Sequence, residues 1–231
     1  MFQKRVVQGN FLHGENNVTN NVNVHDTNHG RFYEIDKDKI YPSITTILKG
    51  MVDLSGWREF VGDAAADQIM QIAASKGNQL HDLFERYLKN EEIVLNGLMP
   101  PVRNSFLGSL PTLNRINRVD FQETVLWTDE LQIAGRTDVL GQFDNKNSVI
   151  DFKGSNKPKK KENITHYFCQ ATAYHIMAKE RFGYDTEQLV ILVFPEGEKE
   201  PQVFIDTPEK YIKELKRVRR EYTGEFNETS G

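Results

Sequence analysis

Asp151-Phe152-Lys153 is the densest piece of chemistry in this 231-residue chain. Alternate side chains of a β-strand share a face, so the Asp151 carboxylate and the Lys153 amine lie together, while Ile150 and Phe152 turn to the other side. Upstream stands Asp138, in the segment LQIAGRTDVLGQF. If the two segments form a hairpin turning at Asp144-Asn145, residue 143 faces 146, 141 faces 148, and Asp138 falls opposite Asp151. Like charges directly opposed in a sheet repel, yet Val139, Leu140, Val149 and Ile150 flank both acids and make good strands. A divalent cation held between the carboxylates turns that repulsion into coordination. Lys153, one pleat further on, can then pair with both acids and steer a water beside the metal. The alternative is a structural Asp–Lys ion pair on an exposed sheet face. His81 and Glu85 add an imidazole and a carboxylate four apart, on one flank of the apolar stripe Leu80, Leu83, Phe84 and Tyr87. Such a pair serves either a metal site or a solvated helical face. Gln170 and Tyr174 are also four apart on a later helical segment, where Tyr174 alone reads as core.

The elements that must position these residues follow from pattern and punctuation. Residues 10–30 read as loops or a loosely held hairpin, because seven of the residues from Asn10 to Asn28 are asparagine. RFYEI (31–35) reads as a strand. Ser43 caps a short helix, ITTILKG, which Gly50 closes. From Ser55 to Lys89 the pattern is helical in two or three pieces, with breaks near Gly62 and Gly77. Residues 90–116, with Pro100, Pro101 and Pro111, read as short helices and loops. Strands are expected at about 119–127, 131–143 and 147–153, then a helix over 164–181, strands at 188–194 and 202–206, and a last helix from a Thr207 cap to about Tyr222. Its stripe is Tyr211, Leu215, Val218 and Tyr222. The order predicts one mixed α/β domain: an N-terminal hairpin or loop region (1–40), a helical region (41–117), and a sheet with flanking helices (118–223).

Composition narrows the function. Basic and acidic residues number 29 and 33, a net charge of −4 that argues mildly against a nucleic-acid coat protein. The layout is uneven, however: Lys153, Lys157, Lys159, Lys160 and Lys161 occur with no acid among them, and Lys213, Lys216, Arg217, Arg219 and Arg220 cluster near the C-terminus. The single cysteine, Cys169, excludes a disulfide framework, a cysteine-built zinc site and a four-cysteine iron–sulfur cluster. No G-x-x-x-x-G-K-[ST] run argues for an ATP-driven motor. No apolar run is long enough to span a bilayer, and the first residues do not read as a secretory signal, so an intracellular protein is expected (cytoplasmic, or in the host cytoplasm if viral), with no membrane partner.

Taken in order, Gly77-x-x-x-His81-x-x-x-Glu85, Gly135-x-x-Asp138, Asp151-x-Lys153 and Gln170-x-x-x-Tyr174 resemble the RecB-type branch of the PD-(D/E)xK nucleases. Within that branch the chain resembles the mitochondrial genome maintenance exonuclease and its phage and bacterial relatives. These share a segment like Tyr41-Pro42-Ser43-Ile44-Thr45, a Trp-led helix like that at Trp57, and a continuation like Asp151-Phe-Lys-Gly-Ser-Asn-Lys-Pro-Lys. The resemblance covers roughly 41–222; Gly154 departs from it, standing where the family usually has Thr. It implies a restriction-endonuclease-like mixed sheet flanked by helices, with the N-terminal helical region arching over the site. Asp138, Asp151, His81 and the Phe152 carbonyl would hold Mg²⁺ or Mn²⁺. Lys153 would position or polarise the attacking water. Glu85, Gln170 and Tyr174 would support the site or hold DNA, and Ser43 and Thr45 would meet the DNA backbone, with Lys157, Lys159, Lys160 and Lys161 on nearby phosphates. The activity implied is exonucleolytic hydrolysis of single-stranded or flap DNA by a monomer, in DNA replication, repair or recombination and alongside proteins of those pathways; the alternatives are a structure-selective DNA endonuclease of the same superfamily and a non-catalytic DNA-binding relative.

Overall fold

The structure, a computed structural model, describes residues 5–15 and 22–224. The first strands are β1 (Val6–Gln8), β2 (Leu12–His13), β3 (Asn23–Thr27), β4 (Gly30–Asp36), β5 (Lys39–Pro42) and β6 (Glu92–Val94). The later ones are β7 (Ile116–Thr128), β8 (Ile133–Phe143), β9 (Lys146–Ser155), β10 (Gln188–Pro195) and β11 (Gln202–Asp206). The helices are α1 (Ile44–Leu48), α2 (Ser55–Val61), α3 (Asp63–Leu88), α4 (Pro100–Leu113), α5 (Thr165–Phe182) and α6 (Glu209–Glu221).

The expected hairpin is the centre of the fold. Asp144 and Asn145 have φ of 51° and 63°, the double left-handed geometry whose twist suits a two-residue β-turn. Phe143 faces Lys146 and Gly141 faces Ser148, and the ladder's last pair, Val139 with Ile150, brings Asp138 and Asp151 to the next positions on the two strands. The central sheet has six strands in the order β11-β10-β9-β8-β7-β2. It is mixed: β9 and β10 run parallel through the α5 crossover, while β7, β8 and β9 form antiparallel neighbours.

Period-2 alternation sends the two faces of this sheet to two cores. Leu140, Val149, Ile191 and Val193 pack with α1, α5 and α6 through Ile44, Phe168, Met177 and Leu215. Val139, Ile150, Phe152, Val190 and Leu192 pack with α3 and α4 through Leu83, Phe84, Tyr87 and Phe106. The result is a three-layer α/β/α body, the mixed fold expected from the sequence. Cys169 is buried in the first core, and burial pushes its thiol up to about 12.

Several boundaries differ from the sequence pattern, each for a local reason. The asparagine-rich start forms the hairpin that its pattern allowed, β3 pairing antiparallel with β4, in which RFYEI is a strand as expected; β5 adds a third strand, and residues 16–21 of that run lie outside the described residues. Gly62, at φ 83°, separates α2 from α3 as expected. Gly77 does not break α3, which runs unbroken from Asp63 to Leu88. A helical glycine costs only about 1 kcal/mol relative to alanine, and the helix carries it through, in open space: a Cβ added at Gly77 would meet nothing within 4 Å. Pro100 and Pro101 start α4, where a missing N–H leaves no bond unmade, so that segment is one helix and not several. Gly50 lies inside a 3₁₀ turn, Lys49–Met51, instead of closing α1. The N-cap of α6 is Pro208, with no side-chain capping bond, and the Thr207 N–H is taken by Asp206 Oδ1 at 3.0 Å.

The N-terminal sheet is fastened beside β8. Ser43 forms an isolated parallel bridge with Ala134, its N–H donates to the Arg31 carbonyl at 2.8 Å, and Tyr41 donates to Asp129 Oδ1 at 2.8 Å. Ser43 also caps α1 as expected, accepting from the Thr45 N–H. Helix α3 has two characters. From Leu80 onward its apolar stripe is buried, whereas residues 63–79 are exposed apart from Ala66 and the half-buried Ala73 and Gly77. Phe84, Tyr87 and Phe106 are core, whereas Phe60 in α2 is 89% exposed and Leu107 lies at the surface.

Candidate metal centre

Beyond the last ladder pair, β8 and β9 present Asp138 and Asp151 side by side. Asp138 Oδ2 accepts from the Phe152 N–H at 2.7 Å, so one strand's backbone fixes the other strand's carboxylate. His81 Nε2 approaches the same oxygen at 3.0 Å from α3, and the Phe152 ring meets the imidazole edge to face at 5.5 Å. Lys153 Nζ lies 2.7 Å from Asp151 Oδ2, at ion-pair distance but not in hydrogen-bonding geometry. Asp151 is fully buried, and neither of its oxygens has a hydrogen-bond partner. A buried carboxylate in that state is costly unless something else satisfies it.

The sequence reading missed one member of this group. Glu123 in β7 faces Asp138, with His81 Nδ1 3.6 Å from its Oε1. One ligand atom each from His81, Glu123 and Asp138 lie within 4.8 Å of one another, close enough to share a cation. Glu123 has φ 50°, a left-handed backbone that a non-glycine residue adopts only where its surroundings impose it. The Gln122 side chain beside it donates to the Glu85 carbonyl at 2.9 Å, clamping this point of β7 to α3.

The electrostatics are those of a crowded acidic site. Burial pushes Asp151 up to about 6, with the Asp138 charge adding to the rise and Lys153 opposing it. Burial, with the Asp138 charge, pushes Glu123 up to about 7. Burial opposes ionisation of Asp138 as well, but the His81 bond and charge outweigh it and hold this carboxyl below its usual range. For Lys153, burial works against the charge and the two aspartates win, so the amine is held above its ordinary value. A carboxylate trio with one imidazole, two of its members protonating far too easily, is a donor set that a hard divalent cation fits. The imidazole suits Mn²⁺ as well as Mg²⁺.

The supporting residues fall around this group. Gln170 Nε2 donates to the Tyr174 hydroxyl at 3.1 Å, both buried in α5, and burial lifts the Tyr174 phenol well above its usual range. A Cβ added at Gly135 would stand 2.9 Å from the Tyr174 ring, which ties the G-x-x-D and Q-x-x-x-Y spacings to one contact. Gly135→Ala is therefore expected to cost about 1–3 kcal/mol by overpacking, read as a lower urea midpoint, with Tyr174 displaced from beside Asp138. Glu85 pairs with Lys89 at 2.5 Å on the α3 surface and faces the same cleft. That cleft, about 550 Å³, is lined by His81, Glu123 and Asp138 together with Ser43, Thr45, Arg31 and Arg136.

The lysine run is not uniform. Lys157 and Lys160 are exposed, and the Lys159 N–H is held by Gln202 Oε1 at 2.7 Å. Lys161 is tied elsewhere: its amine reaches Asp206 Oδ2 at 2.8 Å and the Ile205 carbonyl at 3.0 Å.

A mixed sheet whose central hairpin ends in two aspartates and a lysine, flanked by helices that add a histidine, defines a metal-dependent phosphodiesterase class. The chain matches the PD-(D/E)XK nuclease superfamily over residues 103–229, and it belongs to that superfamily. Nucleases of this kind use divalent metal ions. The match begins within α4, so His81 and the N-terminal sheet stand outside it. No curated protein matches the chain significantly. Among the described residues, no helix is long and apolar enough to cross a membrane.

Proposed function

We propose that the protein is a metal-dependent deoxyribonuclease that hydrolyses single-stranded or flap DNA from a free end, in DNA replication, repair or recombination. The observation that carries the reading is the buried Asp151 carboxylate, without a hydrogen-bond partner and ion-paired to Lys153, behind Asp138 and His81, which line an open polar cleft. Asp138, Asp151, His81 and the Phe152 carbonyl would hold Mg²⁺ or Mn²⁺, with Glu123, which stands within reach of His81 and Asp138, completing or orienting that set. When bound, such a cation supplies Lewis-acid polarisation of the phosphate and eases deprotonation of a nearby water. Lys153, kept protonated by the two aspartates, orients that water and offsets charge growing on the phosphate. Tyr174, Gln170 and Glu85 fix the walls around the reacting groups.

The preference for a free end draws support from α2 and the first half of α3. Residues 63–79 amount to about 25 Å of largely unpacked helix beside the cleft, and their form suits a single strand better than a duplex. Linear single-stranded DNA is expected to be degraded in Mg²⁺ or Mn²⁺, while a closed single-stranded circle survives. Efficient cutting of the circle would make the protein an endonuclease of the same superfamily.

Lys157 and Lys160 follow the catalytic strand and are exposed, placing them within reach of neighbouring phosphates. Replacing both with alanine is expected to flatten the salt dependence of single-strand binding by about 1.4, at about 0.7 per phosphate contact. Lys161→Ala should instead lower stability slightly, because it removes one of the partners of the almost wholly buried Asp206 carboxylate and leaves Lys210 and Tyr211 to hold it.

A further inference from the structure

One stretch of the cleft wall, beginning beside the carboxylates, is basic, and the metal centre does not account for it. Arg136 lies two residues before Asp138 in β8, on the same side of the strand, and its side chain is 57% exposed. Arg31 comes from β4 in the other sheet, 45% exposed, with its Nε 2.8 Å from Asp26 Oδ1. Buried Tyr33 lies within electrostatic reach of both guanidinium groups. The Ser43 and Thr45 hydroxyls, 2.7 Å apart, complete the same wall, brought there by the Ser43–Ala134 bridge.

Charge balance says what such a wall is for. The cleft is lined by Asp82, Glu85, Glu123 and Asp138 against only Arg31, Arg136 and His81, so without a cation it repels a polyanion. A cation would offset the acids around it, and a second phosphate of the same strand would need its own donors. A guanidinium fork and two hydroxyls are the donor types that bind phosphate oxygens. Arg136 is held meanwhile: its Nε lies 3.0 Å from Glu123 Oε2, the carboxylate that a cation would compete for.

We propose that Arg136, with Arg31 and the Ser43–Thr45 hydroxyl pair, seats a DNA phosphate next to the one cleaved, and that Glu123 restrains Arg136 until a divalent cation engages that carboxylate. The proposal rests on the nuclease reading and adds a coupling to it: cation and DNA tighten each other's binding through one ion-pair exchange.

Fluorescence anisotropy of a labelled single-stranded oligonucleotide, measured in EDTA and in Ca²⁺, tests it. Arg136→Gln is expected to weaken binding about tenfold in Ca²⁺ and to lower the salt slope by about 0.7, with little change in EDTA. Arg136→Lys should keep the slope but not the full affinity, since the charge remains and the fork is lost. Thr45→Val, at an exposed position, should weaken binding several-fold with the melting temperature unchanged. Oligonucleotides with a phosphate or a hydroxyl at each end identify the ligand. A loss confined to one phosphorylated end marks a terminal monoester, and an equal loss on all marks an internal diester; both support the seat. Unchanged affinity and slope for Arg136→Gln in Ca²⁺, with wild type binding normally, would overturn the seat alone. Failure of wild type to bind or cut any DNA would overturn it together with the nuclease reading.

Discussion

Asp151→Asn is expected to lower cleavage by at least about a thousandfold, and to melt higher than the wild type when no metal is present. Both effects come from one fact: Asp151 is fully buried without a hydrogen-bond partner, beside a second aspartate. Its folded pKa lies above its unfolded value, so the native state binds the extra proton. The wild type therefore loses stability as pH rises from about 4 through about 6, and keeps that penalty above it. An amide never ionises and escapes the penalty. Near pH 3.5 the gap between the two proteins should almost vanish, and near pH 7.5 the variant should lead by several degrees, on the order of 2–3 kcal/mol at about 1.4 kcal/mol per pKa unit. Adding Mg²⁺ or Mn²⁺ should reverse the order, raising the wild type far more than the variant. Equal metal-induced shifts, or a gap that does not change with pH, would remove Asp151 from the ligand set.

Lys153→Ala should lose turnover on a similar scale while moving metal binding the other way. The ammonium lies 2.7 Å from Asp151 Oδ2 and competes with a cation for that oxygen. Its removal leaves two adjacent carboxylates with less positive charge nearby. The metal-free variant should therefore be less stable than wild type at neutral pH, and the metal-induced rise in melting temperature should be larger. Single-turnover rates at saturating metal separate this from a binding defect, because a transition-state role lowers the chemical step itself. A variant that cleaves normally once metal is raised would reduce Lys153 to a structural counter-ion.

The sequence carried the hairpin and the helix flank well, because both obey simple periods. Asp144-Asn145 is a strong turn signal, so the register followed by counting, and His81 followed from helical spacing. Glu123 could not be found that way. The β7–β8 ladder shifts twice, between Ile116 and Arg118 and between Val119 and Phe121, so nothing in the sequence aligns Glu123 with Asp138. Arg136 was within reach, since it shares its strand face with Asp138, but its meaning depends on what lies across the cleft. RFYEI reveals the strand that carries Arg31, but β3 beside it, NVHDT, has a single apolar residue, and nothing in the sequence says that this sheet stands against β8. Gly77 misled because a single helical glycine costs only about 1 kcal/mol, too little to stop a helix whose later turns, from Leu80 onward, are packed into the core.

The left-handed backbone of Glu123 sets durability against activity at a single codon. Glycine would adopt φ 50° freely, relieving strain of about 1–3 kcal/mol and removing a carboxylate whose ionisation the folded state resists. Glu123→Gly is therefore expected to raise the metal-free melting temperature while cleavage and metal-induced stabilisation fall. A variant library sorted for heat resistance should enrich glycine at this position, and the same library sorted for DNA cleavage should purge it. The disagreement between the two sorted pools would mark residue 123 as a functional position without any structure of a complex.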